Sequence, residues 1–245
     1  HLTAVWRMND PGERDASLAI RDGKGTQLAQ AVGWYRDAGR LHTGDPVTMA
    51  ADALAAWNAD HTAGVDALLI ADRWEIADAL NERIHRDTVA ADAPRVGGAR
   101  RCRIGVGDVV ISRRNDPTIG VYAAGTGRGK VTPIDDAPVR NGQRWRVEKI
   151  DPEADRIAVR RIGDGALSVF EGDYLHRHVH HGYAVTVHAA QGATADRCHA
   201  VLTVGGRRSG AYVAMTRGRH ANHVYLYEQI GGEGDHEHTP TAVAG

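Results

Sequence analysis

The sequence predicts an α/β protein interrupted by a small β-barrel, and three features carry that prediction. The N-terminal third alternates helix-periodic stretches with a short, continuous apolar run. From about Ala91 helical periodicity gives way to short runs separated by turn signals. Near His181 the first pattern resumes and holds almost to the end of the chain.

Leu2-Thr-Ala-Val5 is an extended apolar stretch, followed by Trp6-Arg7-Met8 and the breaker Asn9-Asp10-Pro11-Gly12. A strand or loop end presenting Trp6 and Arg7 is expected there. Helical patterning follows at Glu13 to Arg21 and at Thr26 to Asp37, where Thr26 can cap and Leu28, Ala31, Val32 and Tyr35 share a face. Asp45-Pro46 opens a third helix reaching about Asn58, because proline's missing N–H costs nothing in a first turn. Asp66-Ala-Leu-Leu-Ile-Ala71 is a short apolar run, the mark of a strand buried on both faces. The helix after it, Arg73 to about Arg86, sets Trp74, Ala77, Leu80, Asn81 and Ile84 at helical spacing.

Short strands are expected at Asp108 to Ser112, Gly120 to Tyr122, Arg144 to Ile150, Arg156 to Arg160 and Ala166 to Phe170, with Asn141-Gly142 as a hairpin signal. So many short strands in so little chain suggest a barrel of the SH3 type. Beyond it, Gly182 to Asp196 reads as a strand entering a polar turn (Thr186, His188, Gln191, Gly192), and His199 to Val204 as the next strand. Tyr212, Met215 and Thr216 mark a helix closed by Gly218, which delivers Arg217 and Arg219 just before a strand at His223 to Tyr227. The expected division is 1–96 with 176–230 for the α/β domain, 97–175 for the barrel and 231–245 for a disordered tail.

A formal charge of −1 removes any global basic excess, so contact with nucleic acid must come from a local patch. Only Lys24, Lys130 and Lys149 are lysines, and an arginine- and alanine-rich coding bias accounts for most of that. Cys102 and Cys198 match no metal or redox spacing and read as reduced thiols of a cytoplasmic protein. No apolar run approaches membrane-spanning length and no signal peptide is visible, so no membrane partner is expected. A chain beginning at His1 is expected to be a piece of something longer.

Two tempting motifs fail on chemistry. Gly125-Thr-Gly-Arg-Gly-Lys130 has Ala124 and Val131 where a phosphate loop needs glycine and a hydroxyl, and it falls between strands, so it reads as a hairpin tip. His176, His178, His180 and His181 lack the cysteine or carboxylate partners of a zinc set, and their alternation reads as a strand entering the core sheet.

Thr186-Val-His-Ala-Ala-Gln-Gly192 and Tyr212-Val-Ala-Met-Thr-Arg217 are specific as a pair, lying one strand apart where both can face one edge of a sheet. On these motifs the chain resembles the C-terminal motor half of superfamily-one DNA helicases of the RecD-like branch. The helicase region of TrwC- or TraA-type conjugative relaxases is the nearest likeness. Leu2 to Arg7 looks like the segment opening the second motor domain, Leu68 to Ala71 with Ala79-Leu-Asn81 like its next strand and helix, and Gly107-Asp108, Arg140-Asn-Gly142 and Trp145 like its inserted barrel.

The resemblance implies a RecA-like second motor domain carrying an SH3-like barrel. It implies Arg217 and Arg7 as catalytic arginines at the γ-phosphate, and Arg7, Trp6, Gln191, Gly192 and Arg217 beside the nucleotide. Thr186, His188 and Thr194 would contact single-stranded DNA. ATP and Mg²⁺ are the implied cofactors, held mainly by a first motor domain that is itself an implied partner. No metal ligand is assigned in this chain.

Two departures stand out. Ala189 occupies a position where the family often has a basic residue, leaving one phosphate contact fewer. No P-loop, no Asp-Glu magnesium box and no relaxase nucleophile occur in these residues, so the isolated chain is expected neither to hydrolyse ATP nor to unwind DNA. A RecD-like repair helicase shares the same motifs, and the missing P-loop keeps a non-enzymatic remnant or DNA-binding module as a further alternative.

Overall fold

The computed structural model describes residues 8–124, 131–134 and 138–228. Trp6, Arg7, the stretch before them, the glycine-rich segment 125–130 and the tail from 231 lie outside the described residues. Two aspartates start two of the helices. Asp10 Oδ1 accepts the Gly12 and Glu13 N–H groups (2.9 and 3.2 Å) ahead of α1 (Pro11–Asp22). Asp45 does the same for Val47 and Thr48 (3.0 and 2.9 Å) ahead of α3 (Pro46–Thr62). In α2 (Thr26–Asp37) the cap is Gly25, at φ 50°, and Thr26 is the first helical residue instead of the expected cap. Helix α4 (Trp74–Thr88) follows the first buried strand.

Five strands form an all-parallel sheet: β1 (Leu41–Gly44), β2 (Ala67–Ala71), β12 (Ala184–Thr186), β13 (Ala195–Thr203) and β14 (Gly218–Tyr227), in the order β1-β14-β13-β2-β12. Alternation along these strands makes two cores. Leu68, Ile70, Cys198, Ala200 and Val224 pack toward α1, α2 and α6 (Arg208–Ala214); Leu69, Ala71, Val201 and Tyr225 pack toward α3 and α4. Strand β1, not expected from the sequence, is short and half polar and sits at the sheet edge. The other edge, β12, has a different guard. Asn81 of α4 donates to the Ala184 carbonyl and accepts from the Ala184 N–H, both at 2.8 Å, closing the backbone groups that β2 leaves unpaired.

Between α4 and β12 runs an antiparallel sheet of β5 (Val109–Ser112), β6 (Val121–Ala124), β7 (Val131–Pro133), β8 (Arg144–Asp151), β9 (Arg156–Arg161), β10 (Leu167–Glu171) and β11 (Val179–His181), in the order β11-β5-β8-β9-β10-β6-β7. A ribbon of β3 (Val96–Gly97) and β4 (Arg103–Ile104) leads into it. Trp145, fully buried, centres this core, edge-on to Phe170 at 5.2 Å and donating Nε1–H to Ser112 Oγ at 3.2 Å. The expected strand over the histidines is instead helix α5 (Gly172–His178) followed by β11, which pairs with β5 and not with the parallel sheet. His176 and His178 offer a sheet no apolar face to bury, and α5 buries Leu175 alone.

Strand β5 is shared. Val110 enters the antiparallel core, whereas Val109 and Ile111 join the two cores of the parallel sheet. Gly182 makes the closest approach to this strand, donating its N–H to the Val109 carbonyl at 2.8 Å. A Cβ at Gly182 would lie 2.9 Å from the Val110 carbonyl carbon.

Candidate functional site

The segment after β12 is a tight, alanine-lined turn. Thr186 Oγ1 accepts the Ala189 N–H at 3.3 Å and its carbonyl accepts Ala190 N–H at 2.8 Å; Ala193 N–H returns to the Ala190 carbonyl at 3.0 Å. Ala189, Ala190 and Ala193 are buried beside Val185 and Met215, so the turn closes on the core through methyl groups. Gly192 has φ +88°, the left-handed region that side chains resist, which lets the chain reverse toward β13. Thr186 is therefore buried and internally bonded, His188 and Gln191 are exposed, and Thr194 is half-buried at the entrance to β13.

His188 and Gln191 line a crevice of about 520 Å³ with Asp72, Thr203, Arg207 and Ser209, outside the carboxyl ends of the parallel strands. Asp72 is already committed, accepting from Thr203 N–H (2.7 Å) and the Tyr227 hydroxyl (3.0 Å). Arg208 closes the wall by capping α1, donating to the carbonyls of Ile20 (3.0 Å) and Gly23 (2.7 Å).

Helix α6 carries the second motif. Thr216 donates to the Tyr212 carbonyl at 2.9 Å, and Arg217 donates from Nε to the Val213 carbonyl (2.8 Å) and from Nη2 to Thr216 Oγ1 (3.0 Å). Tyr212 itself lies under Arg21, whose guanidinium carbon is 5.1 Å from the ring centre. Gly218 starts β14, where its N–H is held by Asn222 Oδ1 at 2.7 Å and an added Cβ would collide with the Ala221 carbonyl. Asn222 in turn donates to the fully buried Glu13 (2.9 Å), which faces Arg40 at 2.7 Å. Burial raises the Glu13 carboxyl above its usual value despite that arginine.

The two motifs do not share one edge, as the sequence suggested. Thr186 is at the carboxyl end of β12, while Arg217 is at the amino ends of β13 and β14, because in a parallel sheet a connecting helix must return the chain to the far end. The turn spans the difference. It leads into Ala195, the first residue of β13, whose N–H donates to the Arg217 carbonyl at 3.1 Å as the first rung between β13 and β14.

Sequence reasoning missed a buried network at the seam of the two sheets. Asp108 accepts from His85 Nδ1 (2.8 Å), Gly105 N–H (2.8 Å) and the Tyr183 hydroxyl (2.9 Å), with His181 Nε2 at 3.6 Å. The donor atoms of His85, Asp108 and His181 lie close enough to suggest a metal group. Hydrogen bonding accounts for them instead. Arg95 donates to His85 Nε2 (3.3 Å), which puts the ring proton on Nδ1 toward Asp108, and His181 Nε2 faces the Arg103 carbonyl at 3.0 Å, which needs an N–H there. Burial alone would raise the Asp108 carboxyl, but the His181 interaction, the Gly105 N–H and His85 outweigh it and hold it below its usual value. The signal in the sequence was Asp108 at the mouth of an apolar strand.

Comparison with known proteins follows the same outline. A family model described as the Rv2311 SH3-like barrel domain matches residues 96–180. The Mycobacterium tuberculosis protein Rv2311 is 59% identical over 102 residues, covering 42% of this chain and 58% of that protein. A probable conjugal transfer protein TraA of Sinorhizobium fredii is 26% identical over 232 residues, 91% of this chain but 19% of the relative. The chain thus spans little more than half of one matched relative and about a fifth of the other. Among solved structures, the Pif1 helicase from Bacteroides with ADP-AlF3 and single-stranded DNA aligns with a TM-score of 0.54 at 15% identity, covering 90% of this chain and 50% of that one. Pif1 from Candida albicans gives 0.54 at 15% identity, with 88% and 53% covered. No helix among the described residues is long and apolar enough to cross a membrane. The chain has a RecA-like, helicase-type α/β fold into which a small antiparallel sheet of the SH3-like kind is inserted.

Proposed function

We propose that this chain is the second motor half of an ATP-dependent DNA helicase or translocase of the kind joined to conjugative relaxases. One observation carries the reading: the turn bearing His188 and Gln191 runs directly into β13, whose first residue is hydrogen-bonded to the carbonyl of Arg217. A strand of DNA lying on His188 and Thr194 would be mechanically continuous with an arginine facing a phosphate. Thr186 would act on DNA through the shape of the turn, since its hydroxyl is turned inward. Arg217 suits a phosphate role because its fork is always charged and can bind two oxygens. Gln191, Gly192, Arg7 and Trp6 are assigned to the nucleotide side on resemblance alone.

The His85, Asp108 and His181 group does not suit Mg²⁺, which asks for an octahedron of oxygens, because two of its members are imidazoles and the group is already hydrogen-bonded. ATP and Mg²⁺ are assigned to a first motor domain, and phosphoryl transfer is the chemistry the nucleotide would supply.

The test uses the parent protein with both motor halves, in steady-state ATPase assays with and without single-stranded DNA. Arg217→Ala should cut turnover by roughly a thousandfold or more, with ATP binding weakened much less. Thr186→Ala should lower DNA affinity and DNA stimulation while leaving basal hydrolysis closer to normal. Near-normal turnover of Arg217→Ala at saturating ATP and DNA refutes the assignment.

A further inference from the structure

Four arginines of the inserted sheet are paired with acids. Arg144 grips Asp66 through both carboxylate oxygens (2.7 and 2.8 Å), Arg156 pairs with Asp151 (2.9 Å), Arg160 with Glu148 (2.8 Å) and Arg161 with Asp164 (2.6 Å). Arg113, just beyond the end of β5, has no such partner among the described residues; nor does Arg146, but Arg146 is exposed and Arg113 is half-buried. It continues the face of β5 on which Val109 and Ile111 point into the parallel-sheet domain. Its Nη1 donates to the Ala189 carbonyl, in the middle of the Thr186–Thr194 turn, at 3.3 Å.

Among the described residues no carboxylate pairs with Arg113, and that carbonyl is the one hydrogen-bond acceptor its side chain meets. Burial pushes its pKa down, the sign of a cation removed from water without a counter-charge. A half-buried guanidinium that uses one of its five donors among the described residues is stabilised when an anion arrives. The hairpin at Gly142 also abuts the turn, where an added Cβ would come 3.9 Å from the Gln191 carbonyl. The exposed Arg140 is two residues before it.

We propose that Arg113 is a phosphate-binding residue for single-stranded DNA, supplying from the inserted sheet the positive charge that the turn lacks at Ala189. This rests on the reading that the turn lies on DNA. It adds that the inserted sheet and the turn hold one strand jointly, through a guanidinium bonded to the backbone of the turn.

The experiment titrates labelled oligodeoxythymidylate against the full chain over a series of salt concentrations. Each phosphate contact to a single strand contributes about 0.7 to the slope of log affinity against log salt. Arg113→Gln should reduce the slope by about that amount and weaken low-salt binding on the order of tenfold. Arg113→Lys should keep the slope. In the unmutated chain, phenylglyoxal modification of Arg113, read by peptide mapping, should be suppressed by the oligonucleotide. This measurement stands even if the glutamine variant fails to fold. Salt-dependent binding with an unchanged Arg113→Gln slope, or modification of Arg113 indifferent to DNA, overturns the proposal and leaves the reading of the turn intact. No salt-dependent binding by the wild type overturns both.

Discussion

Replacing Asp108 by alanine should cost far more than a surface change, because three buried donors lose their acceptor at once. Those donors are His85 Nδ1–H, Gly105 N–H and the Tyr183 hydroxyl, and Asp108 itself is fully buried. A buried donor left without a partner costs about 1–3 kcal/mol, so the sum, reduced for relaxation and non-additivity, comes to about 4 kcal/mol. That is a large part of a typical folding margin of about 5–15 kcal/mol. Asp108→Asn keeps the shape and one accepting oxygen and should lose about half as much. The assay is urea unfolding followed by circular dichroism and by tryptophan fluorescence. A loss below about 1 kcal/mol for Asp108→Ala would refute the view that this network holds the two sheets together.

The same carboxylate sets a pH dependence. Its folded pKa lies below the ordinary value, so its contribution is complete above about pH 4 and is lost as pH falls through the unfolded and then the folded pKa. Acid unfolding of the wild type should therefore steepen below about pH 4, and Asp108→Asn should remove that part. Asn81→Ala should cost about 2–4 kcal/mol, since it strips both backbone partners from Ala184 on the sheet edge; equal denaturation midpoints would contradict this. Trp145→Ala should cost about 3–5 kcal/mol, read from thermal melts, by leaving a cavity beside Phe170. Cys198, fully buried and pushed up to about 12, should resist alkylation at neutral pH until denaturant is added; rapid native labelling would contradict its burial.

The parallel sheet was legible because its signals are local. The apolar run 67–71 and the aspartate caps name their elements, and helix periodicity located α1 to α4 within a few residues. Strand β1 was not legible, since Leu41–Gly44 owes its pairing to β14 and not to any pattern of its own. At the site, the motifs were visible but their placement at opposite ends of the strands was not, because spacing along the chain says nothing of strand direction. Arg113 and Asp108 could not be assigned partners from sequence at all. Ala189 lies 76 positions from Arg113, and Tyr183 lies 75 from Asp108.

Strand β5 has one consequence for anyone who wants to take the molecule apart. Val110 belongs to one core while its neighbours Val109 and Ile111 belong to the others, so the frontier between the cores of the two sheets runs between the faces of a strand. No cut in the chain can follow it. A trimmed insert would carry two stray apolar side chains into solvent, and the remaining half would be left with a notch beneath the turn that Arg113 touches. An exchange of inserts between relatives would have to transplant every second residue of one strand and leave the others behind.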